Sequence, residues 1–288
     1  MAPQMLLHQI NYLLSEHPWI VGFRWSTIQL WGSTWSFLIF SISTYLAASI
    51  TLHLLLYLLG RQKPVPLGPI PALHSLLMTL LFVTIFAGTL SSAAAEIRDT
   101  RWFWRRSKTP FEWLLCFPLG TRPSGRVFFW SYIFYLSRFL QIFNTFFSIL
   151  RHRTLSYVHL LNHSTLICMS FLWLEFSQSY QVLEILLTTL VFALVYGYRF
   201  WTEIGMPKAN FPFVILNFQF LLLACNLVGH VWVLPLHFMK GGCNGMGAWG
   251  FTSLINGIVL LLLSKYYVKV TRLSKQRYLI SLKQDKKR

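Results

Sequence analysis

Charge is what this 288-residue chain has least of: Asp and Glu together number 8, and charged residues of all kinds make up 11%. Soluble domains carry about 25%, so a water-facing surface cannot be built from this composition, and a soluble all-helical globule is set aside. No internal repeat or low-complexity segment divides the chain, which reads as one domain, 1–288. A positively charged start leading into an apolar core is also missing. Glu16, His17, Pro18 and Arg24 interrupt residues 1–34, so no cleavable signal peptide is expected and the first spanning helix is expected to do the targeting.

What is present points to lipid. Hydrophobic residues make up 55% and aromatics 17%, with 12 Trp to anchor at membrane–water interfaces. A spanning helix needs about 20 mostly apolar residues, and seven stretches qualify: about 35–59, 72–94, 127–150, 156–176, 179–200, 211–235 and 247–267. Each is too long and too continuously apolar for a strand. The 25 basic residues, giving a formal charge of +17, fall in short clusters between these runs. That placement suits positive-inside loops, and nucleic acid is not an expected partner.

Orientation follows from the same clusters. The 268–288 tail, with Lys265 before it, carries Lys269, Arg272, Lys275, Arg277, Lys283, Lys286, Lys287 and Arg288 against Asp285. This end is expected in the cytosol, with residues 1–34 on the lumenal side. Arg61, Lys63, Arg151 and Arg153 then fall in cytosolic loops. The 95–126 loop disagrees, holding seven basic residues against Glu96, Asp99 and Glu112 on the side that parity makes lumenal; a missed span there would reverse the assignment. Cys168 and Cys225 lie within spans, where a thiol behaves as a small hydrophobe. Cys116 and Cys243 fall in two loops that parity places in the lumen, where an oxidising compartment would let them pair. Two unpaired loop thiols are the alternative.

Polar groups inside spans are costly and each marks a functional candidate. Arg138, Gln141, Asn144 and Thr145 share one face of the third span, at spacings of three, six and seven. His159, Asn162 and His163 share a face at the start of the fourth. The fifth carries Thr188, Thr189, Tyr196, Tyr198 and Arg199, and the sixth Asn217 and Gln219. Together they suggest seven transmembrane helices around a cytosol-facing polar chamber. The alternative for each is ordinary hydrogen bonding between helices. His159 and His163 have helical ligand spacing, but no carboxylate shares their depth, so no metal is expected.

At these residues the sequence resembles the ELO family of very-long-chain fatty-acid elongases, plant-type members in particular. The stretch that carries the resemblance best is Cys116-Phe-Pro-Leu, followed by Phe128-Phe-Trp-Ser-Tyr-Ile-Phe-Tyr-Leu-Ser-Arg138. The family pattern K-x-x-E-x-x-D-T falls on Arg138, Gln141, Asn144 and Thr145, where both carboxylates have become amides. The H-x-x-H-H box falls on His159, Asn162 and His163, and its middle histidine is lost. The N-x-x-V-H-x-x-M-Y pattern falls on Thr188, Val191, Phe192, Val195 and Tyr196, losing its histidine at Phe192. Of T-x-x-Q-x-x-Q-F only Gln219-Phe220 survives.

The resemblance implies an endoplasmic reticulum membrane protein, multi-pass, with its C-terminus cytosolic. It also implies condensation of a long acyl-CoA with malonyl-CoA to a 3-oxoacyl-CoA, without a cofactor. His159 and His163 become the catalytic candidates, since Asn162 and Phe192 can be neither nucleophile nor base. Arg138, Gln141, Asn144, Thr145, Tyr196, Tyr198 and Gln219 become the substrate-binding ones. A nucleophile moved by one helical position points about 100° away, so three readings stand: an active or weakly active elongase, a non-catalytic relative that regulates or scaffolds, and an acyl-CoA or lipid-binding protein. Partners implied are acyl-CoA, malonyl-CoA and the bilayer, with a dimer or other elongation-complex subunits.

Overall fold

The computed structural model describes residues 2–59, 65–99, 109–151, 157–206, 211–239 and 241–285. Its elements in order are α1 (Ala2–Asn11), a π turn (Tyr12–Glu16), α2 (Pro18–Val21), α3 (Trp35–Leu58), α4 (Ile70–Arg98), α5 (Pro110–Leu115), α6 (Arg126–Leu150), α7 (Tyr157–Glu175), α8 (Gln181–Glu203), α9 (Phe211–Met239) and α10 (Met246–Asp285). Among the described residues there is no strand, only isolated bridges pairing Arg24 with Ser124 and Pro118 with Cys243.

Local chemistry sets the helix starts. Thr34 caps α3 by accepting from the Phe37 amide at 3.2 Å, and Thr109 caps α5 by accepting from Glu112 at 3.2 Å. Gly125 precedes α6 at φ 93°, a conformation open to glycine and costly for other residues. Among the described residues six helices are long and apolar enough to cross a membrane: α3, α4, α6, α8, and the Phe220–Met239 and Met246–Lys265 parts of α9 and α10. The chain is therefore an all-helical, multi-pass membrane protein. Between these helices lies α7, of 19 residues, about 28 Å long.

Two boundaries run past the apolar stretches. α4 continues beyond 94 to Arg98 because Ala93-Ala94-Ala95 holds helix well. α10 runs on to Asp285, since the basic tail is rich in Lys, Leu and Gln and has neither Pro nor Gly.

Successive loops fall at alternate ends of the bundle. At one end the N-terminal segment meets the loop before α6, with Trp25 N–H donating to Pro123 O at 2.9 Å and Gly125 N–H to Phe23 O at 2.8 Å. There too Asn244 N–H donates to Phe117 O at 2.7 Å and Ser179 N–H to Asn244 O at 3.1 Å. Cys116 and Cys243 are joined by a disulfide, their Cα atoms 5.1 Å apart. At the opposite end Val65 N–H donates to Leu150 O at 3.0 Å, and Arg151 pairs with both oxygens of Glu203 at 2.5 and 2.6 Å. The interior between α4, α6 and α8 holds Met78, Phe82, Ile85, Phe134 and Ile185, all buried. Outward-facing Ile39, Phe40, Leu54, Leu254 and Leu261 are exposed, as a lipid-facing surface requires.

Arg126, 3% exposed, binds Glu16 at 2.6 Å and Asp99 at 2.7 Å, while Arg98 binds Glu16 at 2.6 Å. The cluster fastens the N-terminal segment to α4 and α6. Arg126, with further help from Arg98, holds the Asp99 carboxyl below the usual carboxylate range. A lowered folded-state value contributes stability that is complete above the ordinary value of 3.8 and is lost as pH falls through the lowered one. Arg126→Gln is expected to cost about 1–2 kcal/mol, because two charge-assisted hydrogen bonds are lost while Glu16 and Asp99 stay partly solvated and paired with Arg98. Unfolding temperature in detergent micelles, followed from neutral to acid pH, checks this: the parent should lose the difference at low pH, and a gap independent of pH would refute the linkage.

Candidate functional site

The face that begins at Arg138 on α6 does not stay together; it fans out to three neighbours. Arg138 is 1% exposed, and its Nη1 donates to Gln141 Oε1 at 2.8 Å. Its guanidinium lies 3.7 Å from the Phe134 ring centroid, 4.7 Å from Phe192 and 5.6 Å from Phe82. This is a cation held by aromatic faces. Its Nε and Nη2 meet no hydrogen-bond partner. Asn144 instead turns to α8 and donates to the Tyr196 hydroxyl. Thr145 turns to α3, its hydroxyl 3.0 Å from that of Tyr45.

Two cavities flank this face. One, of ≈ 340 Å³, opens at the Arg151–Glu203 end and is bordered by Asn144, Arg151, Tyr198 and Arg199 among others. The second, of ≈ 270 Å³, lies between α7, α8, α9 and α10, with Asn162, Thr188, Val191 and Phe192 on its wall. Phe192 is therefore shared: one part of it borders this cavity and its ring stacks beneath Arg138. His163 points elsewhere, buried, with its ring 6.5 Å from that of Tyr45. The side chains of His159 and Gln219 lie outside the described residues. Among the expected site residues, Asn162 and Phe192 thus share one cavity, Asn144 and Tyr198 share the other, and Arg138 with Gln141 is buried between α4, α6 and α8.

One polar cluster escaped the sequence reading. Glu184, Asn226 and Asn256 border the α7–α10 cavity toward the disulfide end. Glu184 Oε1 accepts from Asn256 Nδ2 at 2.7 Å and from Asn226 Nδ2 at 3.3 Å. Behind them stands His230, 2.8 Å from Ser253 Oγ and facing the Tyr180 ring at 4.8 Å. Gly229 makes that approach geometrically open, since a Cβ there would sit 2.0 Å from the Tyr180 hydroxyl. Burial, together with the neighbouring Glu184 carboxylate, pushes the Tyr180 phenol upward, so it stays neutral. Glu184 has the appearance of an acid in the first turn of a helix, where the dipole welcomes it. The spacing of four between Asn226 and His230 was the available signal.

Residues 30–278 match the profile of the GNS1/SUR4 (ELO) family. The chain belongs to that family. Among family relatives, "Fatty acid elongase 3-like" of Arabidopsis thaliana is 62% identical over 268 residues, covering 92% of this chain and 93% of that protein. "Fatty acid elongase sre1" of Dictyostelium discoideum is 23% identical over 201 residues, 68% of this chain and 69% of that protein. "Fatty acid elongase A" of the same organism is 27% identical over 207 residues, 69% of each chain. No solved structure matches at comparable significance. The chain is an elongase-like membrane protein of the ELO family.

Proposed function

We propose that this elongase-like protein takes a long acyl-CoA with its chain in the cavity between α7, α8, α9 and α10, and that the family reaction is centred where Asn162 and Phe192 meet that cavity. One observation carries the reading. The two positions that lose family histidines, 30 residues apart in sequence on different helices, border the same space. A lost site would have no reason to keep its two altered positions on one cavity wall. In the family reaction the acyl group leaves its thioester and joins the malonyl-CoA carbon that loses carbon dioxide, giving a 3-oxoacyl-CoA and free CoA.

In this reading α7 also spans, as the fourth helix of seven, and the ≈ 340 Å³ cavity by Arg199 is the mouth for the anionic CoA portion. The basic tail lies in the cytosol and the disulfide end in the lumen of the endoplasmic reticulum. Two features support that orientation. A disulfide suits an oxidising compartment, and the dissenting basic loop is partly neutralised, because Arg98 and Arg126 are committed to Glu16 and Asp99.

Among the described residues bordering the α7–α10 cavity there is no histidine, which favours acyl-CoA binding without fast turnover as the second reading. Reconstitution with malonyl-CoA and long acyl-CoAs separates the two. The parent is expected to give slow or no condensation. Asn162→His combined with Phe192→His is expected to raise product formation about 100-fold or more, the usual scale of positioned proton-transfer groups. Binding without product in both proteins would establish the binding reading, and absence of acyl-CoA binding in both would overturn the assignment of the cavity.

A further inference from the structure

The end of the α7–α10 cavity nearest the disulfide is built of hydrogen-bonding groups, where an ordinary hydrocarbon chain needs none. Glu184, Asn226 and Asn256 line it and are 1%, 5% and 8% exposed. Their donors can be accounted for. Asn256 Nδ2 serves Glu184 Oε1 at 2.7 Å and reaches His230 Nε2 at 3.5 Å. Asn226 Nδ2 serves Glu184 Oε1 at 3.3 Å. Ser253 Oγ donates to Trp249 O at 2.8 Å, which leaves it to accept from His230 Nδ1 at 2.8 Å. With Nδ1 carrying the proton, Nε2 is the acceptor that Asn256 meets.

Two acceptors are left over. Glu184 Oε2 and Asn226 Oδ1 are buried without a hydrogen-bond partner. In that tautomer His230 Nε2, 3.4 Å from Glu184 Oε2, does not donate to it, and Asn226 Oδ1 has no partner in either tautomer. Unpaired buried acceptors are costly and call for a donor. Beyond them Trp173 Nε1 donates to Thr252 Oγ1 at 3.1 Å, and Thr252 Oγ1 donates to Gln178 Oε1 at 3.0 Å, so neither of those donors turns to Glu184 or Asn226. Glu184 and Asn226 both border the cavity, from which a ligand can bring a donor.

Position tells which part of a ligand would bring it. Glu184 lies eight residues before Phe192 on α8, about 12 Å along the helix axis, toward the end of the bundle away from Arg151 and Arg199. A chain whose thioester sits near Asn162 and Phe192, and whose extended length matches that distance, would bring its far terminus to Glu184. We infer that this cavity selects acyl chains ending in a hydroxyl group, an ω-hydroxyacyl thioester, whose terminal O–H donates to Glu184 Oε2 or Asn226 Oδ1. The selection rests on the acyl-binding role proposed above. A methyl terminus of the same length would exclude water from both acceptors and pair with neither. A site made to bond a hydroxyl discriminates strongly against the analogue that lacks it.

The test uses the full chain in lipid nanodiscs and measures equilibrium binding of saturated acyl-CoAs in matched pairs, one member ω-hydroxylated and the other methyl-ended, over a series of chain lengths. At the length that reaches Glu184, the hydroxylated member is expected to bind roughly 10- to 100-fold more tightly. Asn226→Leu, and separately Glu184→Met, should abolish or reverse that preference, and the thermal unfolding of each variant in the nanodisc shows that it is folded. Equal binding of both members at every length would overturn the inference and leave the acyl-binding role intact. A preference that survives in both variants would overturn the assignment to these residues. Absence of binding by either member at any length would overturn the acyl-binding role, and the inference with it.

Discussion

Arg138→Met is expected to leave the bundle folded, with an unfolding temperature equal to or above that of the parent, while weakening acyl-CoA or malonyl-CoA engagement at least roughly 100-fold. The two effects separate because of how the guanidinium is housed. It is buried, holds a single side-chain hydrogen bond, to Gln141, and leaves Nε and Nη2 without partners. Burying an ion costs several kcal/mol, and an apolar replacement of similar volume is often neutral or stabilising. Stacking on Phe134, Phe192 and Phe82 recovers part of that cost, on the order of 1–2 kcal/mol per favourable contact.

Arg138 lines neither cavity, so its expected effect on ligand runs through Phe192, the ring it stacks on and part of the wall of the α7–α10 cavity. Arg138→Lys provides the control. It keeps the charge but not the flat face that stacks between rings, so function should fall less than in the methionine variant and stability more. Thermal unfolding and ligand titration of the three proteins decide the matter. A methionine variant that melts earlier and binds normally would make Arg138 a structural residue.

Loss of the Cys116–Cys243 bond carries the second large effect. It closes a loop of 127 residues, for which chain-entropy arguments give about 4–5 kcal/mol. The bilayer already restricts the helices between the two cysteines, so about 2–3 kcal/mol is the expected cost here. Cys116→Ser, Cys243→Ser and the double variant should be destabilised alike, because all three remove one shared bond. Reductant should lower the unfolding temperature of the parent and leave the variants unmoved. Additive losses in the double variant would show that each cysteine acts through its own packing instead.

The loops that this bond joins are also stitched by Asn244, whose side-chain amide donates to Phe176 O at 2.8 Å, and by Ser179, whose hydroxyl accepts from the Phe117 amide at 3.0 Å. The closed end of the molecule is thus held covalently and by hydrogen bonds. The same stitched end carries Tyr180, which reaches α9 over Gly229, so the cap and the polar floor of the cavity are one continuous structure.

Long apolar runs determined the helices of this protein by themselves, because a segment of about 20 residues with no water to satisfy its backbone must form its hydrogen bonds internally. Counting those runs also placed Cys116 and Cys243 at one end. The sequence likewise marked the Arg138 face and the altered family positions. What it left open was rotation. Helices such as α9 and the Met246–Lys265 part of α10 are mostly apolar, so little in their composition says which side faces a neighbour and which faces lipid.

Tertiary structure decided that question residue by residue. It sent Arg138, Asn144 and Thr145, neighbours on α6, to three different surroundings, and it turned His163 toward Tyr45. It brought Asn162 and Phe192 to one wall. It also gathered Glu184, Asn226, His230, Ser253 and Asn256 from three helices into one hydrogen-bonded group. Convergence of that kind has no signature in spacing along a single helix, because it depends on how each helix is turned when the interior packs. The deficit of charge from which the chain was first read said that lipid surrounds it; the few polar groups it keeps acquired their meaning only from where the packing placed them.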